Sequence, residues 1–211
     1  KDEVSLSLPN ASVRANYLVL AGNAYLGSLG KKLSQRLMPV GTYMIATEPL
    51  GSTRARQLLP ENSAVADINF VLDYFRLSAD QRLLFGGGVS YSTIPPVNVR
   101  SYLRKRMLKV FPSLVDVELE YGWGGLVGIT MNRMPNFGRL APNVFLAHGF
   151  SGHGVALTGL AGKLMAEVIS GTAERFDVMS QIPHFPFPGG PLFRMPALLL
   201  GTTWYRLRDL L

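Results

Sequence analysis

Between Phe145 and Gly171 the sequence runs Phe-Leu-Ala-His-Gly-Phe-Ser-Gly-His-Gly-Val, then Ala-Leu-Thr-Gly-Leu-Ala-Gly-Lys-Leu-Met-Ala-Glu-Val-Ile-Ser-Gly. That order is a short apolar strand, a loop carrying Gly149, Gly152 and Gly154, and a helix of small and apolar residues. A glycine-rich loop lets backbone approach a ligand closely, because no Cβ stands in the way. The helix behind it offers unpaired N–H groups and the positive end of its dipole. Together they suit an anionic or electron-rich ligand edge. The same residues also make a plain strand-to-helix turn, so the loop alone leaves both readings open.

The 211 residues suffice for one large or two modest domains. With 47% hydrophobic and 17% charged residues the chain can bury a core, which excludes a disordered class. The net charge of +7 is scattered. Its densest cluster, Arg100, Arg104, Lys105 and Arg106, falls on a helical pattern and reads as a solvated helix face rather than a nucleic-acid surface. The absence of cysteine excludes disulfides, thiolate metal sites and a cysteinyl-linked cofactor within the chain, and fits a reducing compartment. His148, His153 and His184 lack metal-ligand spacing, so no metal is expected. No apolar run has the length of a membrane span, and no signal peptide is visible, so a cytoplasmic location is expected. The chain opens on Lys1 rather than Met and reads as a sequence already under way.

In chain order, Val4 to Leu8 alternates as a strand and stops at Pro9-Asn10. Ala15 to Ala21 predicts a buried strand, closed by Gly22-Asn23. Ser28 to Leu37 reads as a short polar helix or loop. Val40 to Thr47, Ala64 to Asp67, Val71 to Leu77 and Arg82 to Phe85 predict strands, with Gly86-Gly87-Gly88 breaking the sheet. Helical spacing covers Asn98 to Val110. Val115 to Tyr121 and Leu126 to Thr130 predict two strands around Trp123-Gly124-Gly125, and Asn143 to Ala147 another buried one. The ends, 1–37 and 139–175, thus have the texture of a parallel α/β domain, and 38–138 that of a mixed, largely antiparallel sheet. Residues 176–211 form a Pro-rich tail closing on an apolar-basic segment around Trp204, read as a docked terminal helix.

Four stretches in this order resemble one family: Tyr17 to Ala24, Asp73 to Gly87, Trp123 to Gly138 and His148 to Val155. The chain resembles the carboxyl-terminal half of the FAD-dependent amine and amino-acid oxidoreductases of the D-amino-acid oxidase, glycine oxidase and sarcosine oxidase group. Within that group it is most similar to the branch acting on gamma-glutamylputrescine. The resemblance implies α/β with an α+β insertion: part of a Rossmann-like FAD-binding domain at 1–37 and 139–175, and a substrate domain at 38–138. It implies FAD as cofactor in the full-length protein, held weakly or not at all by these residues alone.

The resemblance places Ala21, Gly22, Gly149, Phe150, Ser151, Gly152, His153, Gly154 and Val155 beside the flavin. It places Tyr74, Arg76, Trp123 and Gly125 at the substrate. Gly152, His153, Gly154 and Val155 would face the pyrimidine edge, where negative charge builds as hydride arrives. His153 either adds positive charge there or merely structures the loop. Tyr74 and Trp123 either wall a cavity or pack a core. Bulk at Gly154 is expected to clash with the ligand or strain the backbone. Two departures matter. The family's Gly-x-Gly-x-x-Gly element is absent, so a missing amino-terminal segment is the expected partner. Val127 and Gly152 stand where amino-acid oxidases carry arginines that clamp the substrate carboxylate. That disfavours alpha-amino acids and favours a small-molecule amine with a distal carboxylate, for which Arg76 and Arg133 are candidates. No catalytic base is assigned. The competing function is a non-catalytic binding or assembly module of the same fold.

Overall fold

A computed structural model describes residues 3–69, 71–90, 96–188, 193, 196, 199–200 and 203–204. It divides into two compact units: Lys1–Pro39 with Val127–Arg194, and a second unit centred on Val40–Leu126.

The first unit opens with an antiparallel hairpin, β1 (Val4–Leu8) and β2 (Ala11–Ala15), turned at Pro9-Asn10. Three further strands form its sheet in the order β3-β10-β9: β3 (Leu18–Leu20), β9 (Asn136–Ala141) and β10 (Val144–His148). β10 runs parallel to β3 and antiparallel to β9. The expected buried strand at Ala15 to Ala21 is corrected here. Ala15 belongs to β2, and β3 is a short strand at the edge of the described sheet, with Val19 on it and Tyr17 just before it exposed. A 3-10 turn at Asn23–Tyr25 and the short α1 (Lys31–Ser34) follow β3.

Helix α4 (Gly154–Ile169) buries Ala161, Leu164, Met165 and Val168, the i, i+3, i+4, i+7 stripe of an amphipathic helix. Those side chains join Phe137, Phe145, Ala147, Phe150 and Phe176 in one core. Phe176 comes from α5 (Glu174–Ser180) and meets Phe137 and Phe145 edge to face. Beyond α5 the tail lies back on this unit, with Asn132 Nδ2 donating to the Pro183 carbonyl at 2.9 Å and Phe187 N to the Gln35 carbonyl at 2.8 Å. The expected terminal helix near Trp204 falls largely outside the described residues.

The second unit is a five-stranded sheet, ordered β5-β6-β7-β4-β8. Its strands are β4 (Met38–Thr47), β5 (Val65–Ala66), β6 (Asp73–Leu77), β7 (Leu83–Ser90) and β8 (Leu119–Ile129). Helices α2 (Gly51–Leu58) and α3 (Val99–Val110) accompany it. One face carries Tyr43, Ile45, Leu77, Leu83 and Phe85, which pack with Ala55, Leu103, Met107, Leu114 and Val117. Gly86-Gly87-Gly88 does not break this sheet, contrary to expectation; β7 runs through all three. Neighbours explain it: a Cβ on Gly86 would enter the Tyr74 ring, and one on Gly88 the Tyr102 ring. Nor does Trp123-Gly124-Gly125 separate two strands, since β8 is continuous there and Gly124 gives room to Tyr43.

The basic cluster on α3 is not a merely solvated face. Arg100 donates to the Glu120 carbonyl at 2.8 Å, Arg104 to the Val117 and Val115 carbonyls at 2.8 and 2.7 Å, and Arg106 to Asp73 at 2.7 Å. Three of its four cations thus tie the helix to the chain around it. Among the described residues no helix is long and apolar enough to cross a membrane, and no group of three His, Cys, Asp or Glu could hold a metal ion.

Candidate functional site

The loop between β10 and α4 is braced from three directions. Gly149 N donates to Asn23 Oδ1 at 2.9 Å, joining it to the end of β3. Ser151 N donates to the Gly128 carbonyl at 2.9 Å. The Ser151 hydroxyl donates to the Gly149 carbonyl at 3.1 Å and accepts from Thr130 N at 3.3 Å. Backbone strain collects here: Asn23 (φ 46) and Ser151 (φ 52) adopt left-handed conformations that non-glycine residues rarely hold. Gly149 (φ 74) and Gly152 (φ 91) hold similar ones at no steric cost. The strain expected at Gly154 is absent, since its φ lies outside the left-handed region.

These bonds sort the nine flavin-side residues. The Phe150 side chain lies in the core and Ser151 is buried, so both hold the loop's shape. The amide of Gly149 is committed to Asn23. What remains open is the start of α4. No side chain caps this helix, and its first backbone bond joins Leu157 N to the His153 carbonyl at 3.1 Å. The amides of Gly154, Val155 and Ala156 therefore have no intrahelical acceptor. Gly152 has nothing within 4 Å of where a side chain would project, and Val155 is fully exposed. Ala21 and Gly22 lie exposed at the carboxyl end of β3.

A cavity of about 260 Å³ lies past β3, from Asn23 to Pro39, and against His148 at the end of β10, lined by Asn23, Ser34, Leu26, Leu33, Leu37 and His148 among others. Asn23 and His148 are the residues sequence reasoning missed as parts of the site. The dipeptide Gly22-Asn23 carried a signal, because asparagine tolerates left-handed backbone. His148 ends a buried strand and gave none. It is fully buried, with Asn136 Nδ2 at 2.9 Å from its Nε2. Burial, with His184 and Arg36 adding repulsion, lowers its pKa to about 4, so the ring is neutral at ordinary pH.

The substrate-side residues all lie in the second unit. Tyr74 and Arg76 sit on β6, on the face away from the core, with the Tyr74 ring over Gly86. Burial raises the Tyr74 pKa, keeping its hydroxyl protonated. Arg76 is exposed, and among the described residues its Nε donates to the Leu77 carbonyl at 3.3 Å. Trp123 is about half exposed on β8, and the Gly125 carbonyl accepts from Thr42 Oγ1 at 3.5 Å. In the first unit Val127 is half-buried and aliphatic, and Gly152 has no side chain, so neither offers a guanidinium.

Residues 3–168 match the family described as FAD dependent oxidoreductase. The chain is 48% identical over 198 residues to gamma-glutamylputrescine oxidoreductase of Escherichia coli (strain K12), covering 93% of this chain and 46% of that protein. It is 39% identical over 210 residues to the probable oxidoreductase OrdL of Haemophilus influenzae, covering 98% and 48%. The chain therefore spans about half the length of the curated relatives it matches. Among solved structures, glycine oxidase from Geobacillus kaustophilus superposes with a TM-score of 0.64 at 21% identity, over 79% of this chain and 44% of that one. L-proline dehydrogenase from P. horikoshii gives 0.59 at 20% identity, over 77% and 44%. At such identities the likeness is one of fold.

Proposed function

The chain belongs to the FAD dependent oxidoreductase family, and from that premise we propose that it is part of a flavoenzyme that oxidises an amine by hydride transfer to FAD, with a gamma-glutamylputrescine-like substrate. The observation that carries the flavin side is the open start of α4, where three unpaired amides stand beside a glycine with no neighbour on its side-chain direction.

The residues fit the cofactor. FAD, when bound, supplies the hydride acceptor, and negative charge on its pyrimidine edge needs fixed donors that do not reorganise. Gly152, Gly154 and Val155 would hold that edge through backbone, with Ala21 and Gly22 alongside. Phe150 and Ser151 act from behind by fixing the loop. His153 immediately precedes α4. We assign 1–37 and 139–175 to the flavin-binding part and 38–138 to the substrate part; the division into two units near Pro39 and Leu126 supports this. The outward face of α4, with Val155, Gly159, Leu160 and Gly162 exposed, supports a covering segment from the half of the relatives that this chain does not span.

On the substrate side, Tyr74 and Trp123 would exclude water, Gly125 would let the amine pass close to backbone, and Arg76 has donors left for a distal carboxylate. A carboxylate next to the reacting carbon would be buried without a partner, which costs several kcal/mol. Glycine and sarcosine are therefore poor substrates in this reading. The 48% identity to a gamma-glutamylputrescine oxidoreductase supports the alternative substrate. The test is anaerobic flavin bleaching by the full-length protein. Gamma-glutamylputrescine should be at least about a hundredfold more efficient than glycine, roughly 2.7 kcal/mol in transition-state binding. Comparable bleaching by glycine would mean that another residue clamps the carboxylate, and the assignment would fall.

A further inference from the structure

The His148 ring is more than a filler of the cavity wall, because of how its two nitrogens divide. Nε2 faces the Asn136 amide nitrogen at 2.9 Å. An amide nitrogen can only donate, so Nε2 accepts and the ring proton sits on Nδ1. Nδ1 is buried and has no hydrogen-bond partner among the described residues. A buried donor without an acceptor is rare in a native fold and asks for a cause. His148 lines the cavity and ends β10, which runs parallel to β3, immediately before the loop assigned to the flavin. Carboxyl ends of parallel strands are where open α/β sheets hold ligands.

We propose that His148 is a positioning residue whose Nδ1–H donates a hydrogen bond to an uncharged oxygen of the bound flavin. The proposal rests on the flavin reading above. The acceptor is uncharged because Leu26, Leu33, Leu37 and Pro39 make up much of the wall and no Lys or Arg is among the described residues that line it. Two kinds of flavin oxygen have this chemistry, the ring carbonyls and the ribityl hydroxyls.

The two nitrogens can be separated by substitution in the full-length flavoprotein. His148→Asn places an amide near the position of Nδ1 and gives up Asn136. His148→Gln reaches toward the position of Nε2, keeps Asn136 and leaves the Nδ1 position empty. FAD titrated into each apoprotein should bind about tenfold more weakly to the glutamine variant, while the asparagine variant stays within about threefold of wild type. A ring carbonyl as acceptor would also move the flavin absorption band and midpoint potential; a ribityl hydroxyl would change affinity alone. Should the two variants lose affinity equally, or in the reverse order, the bond to Asn136 is what matters and the proposal is overturned. If either variant fails to fold, ¹⁵N-histidine spectra of the unmutated protein decide. Expected is an Nδ1-bound proton that becomes protected from exchange on adding FAD. A proton on Nε2, or protection that FAD does not alter, refutes the role. A full-length protein that binds no FAD refutes the flavin reading itself, whereas a flavin-loaded wild type with the wrong ranking refutes only the part given to His148.

Discussion

His148 should make the fold sensitive to acid. Its imidazole titrates at about 4 in the folded chain, against 6.5 when unperturbed, because burial penalises the cation. A depressed pKa means that the unfolded chain takes up the proton first. Stability from this residue is complete above pH 6.5 and is lost as pH falls from there toward 4, about 3 kcal/mol in all. His184 is shifted in the same direction, mainly by burial, and adds to the slope. Urea midpoints taken between pH 7 and pH 4 should fall steadily, and His148→Asn should flatten the curve. A flat wild-type curve would mean that the ring is solvated. The loop glycines make a second contrast. Alanine at Gly152 meets open space and bears only the left-handed backbone, about 1 kcal/mol. Alanine at Gly149 bears the same strain and also strikes Thr130 Cγ2, for about 3 kcal/mol. Thermal unfolding should rank them in that order. If Gly152 borders the flavin as proposed, flavin content in the full-length protein should fall with Gly152→Ala as well.

Helix α4 presents two faces that should respond differently to truncation. Leu164→Ala empties a site in the core of Phe145, Phe150 and Phe176, at a cost of about 2–5 kcal/mol in chemical denaturation. Leu160→Ala on the outward face should change the stability of this chain by less than about 0.5 kcal/mol. Elements such as α4 were legible because their cause is local: the apolar stripe, the glycines before it and Gly171 after it lie in one window. The loop was legible for the same reason. β7 was not, because the cause of its glycines lies in Tyr74 on another strand and Tyr102 on a helix. Read along the chain, three glycines mean a break; read across the sheet, they mean aromatic rings pressed against backbone. α2 was hidden behind the turn-like Glu48-Pro49-Leu50-Gly51, and β9 by its lack of an alternating pattern. His148 stayed invisible as a polar group because a histidine closing an apolar strand looks like any other core residue.

At the scale of the whole molecule, each unit has its own core, and neither cluster draws on residues of the other. Each unit should therefore unfold as a cooperative step of its own, read as two transitions in calorimetry. Flavin retention is a different matter, since the residues assigned to FAD supply amides for one edge and the matched relatives are about twice as long. The purified chain should be colourless or nearly so, and a yellow preparation with stoichiometric FAD would show that these residues hold the cofactor unaided. The bond from Gly149 N to Asn23 Oδ1 spans 126 positions. During synthesis the strand β3 and Asn23 emerge first, and more than half of the chain must follow before β10 and its loop arrive to meet them. Until then the left-handed turn at Asn23 has no partner to sustain it, and closing so long a loop is slow. The site is thus among the last features to form on a growing chain. A ribosome that stops short of Gly149 would release a polypeptide whose second unit can fold but whose candidate cofactor site does not exist.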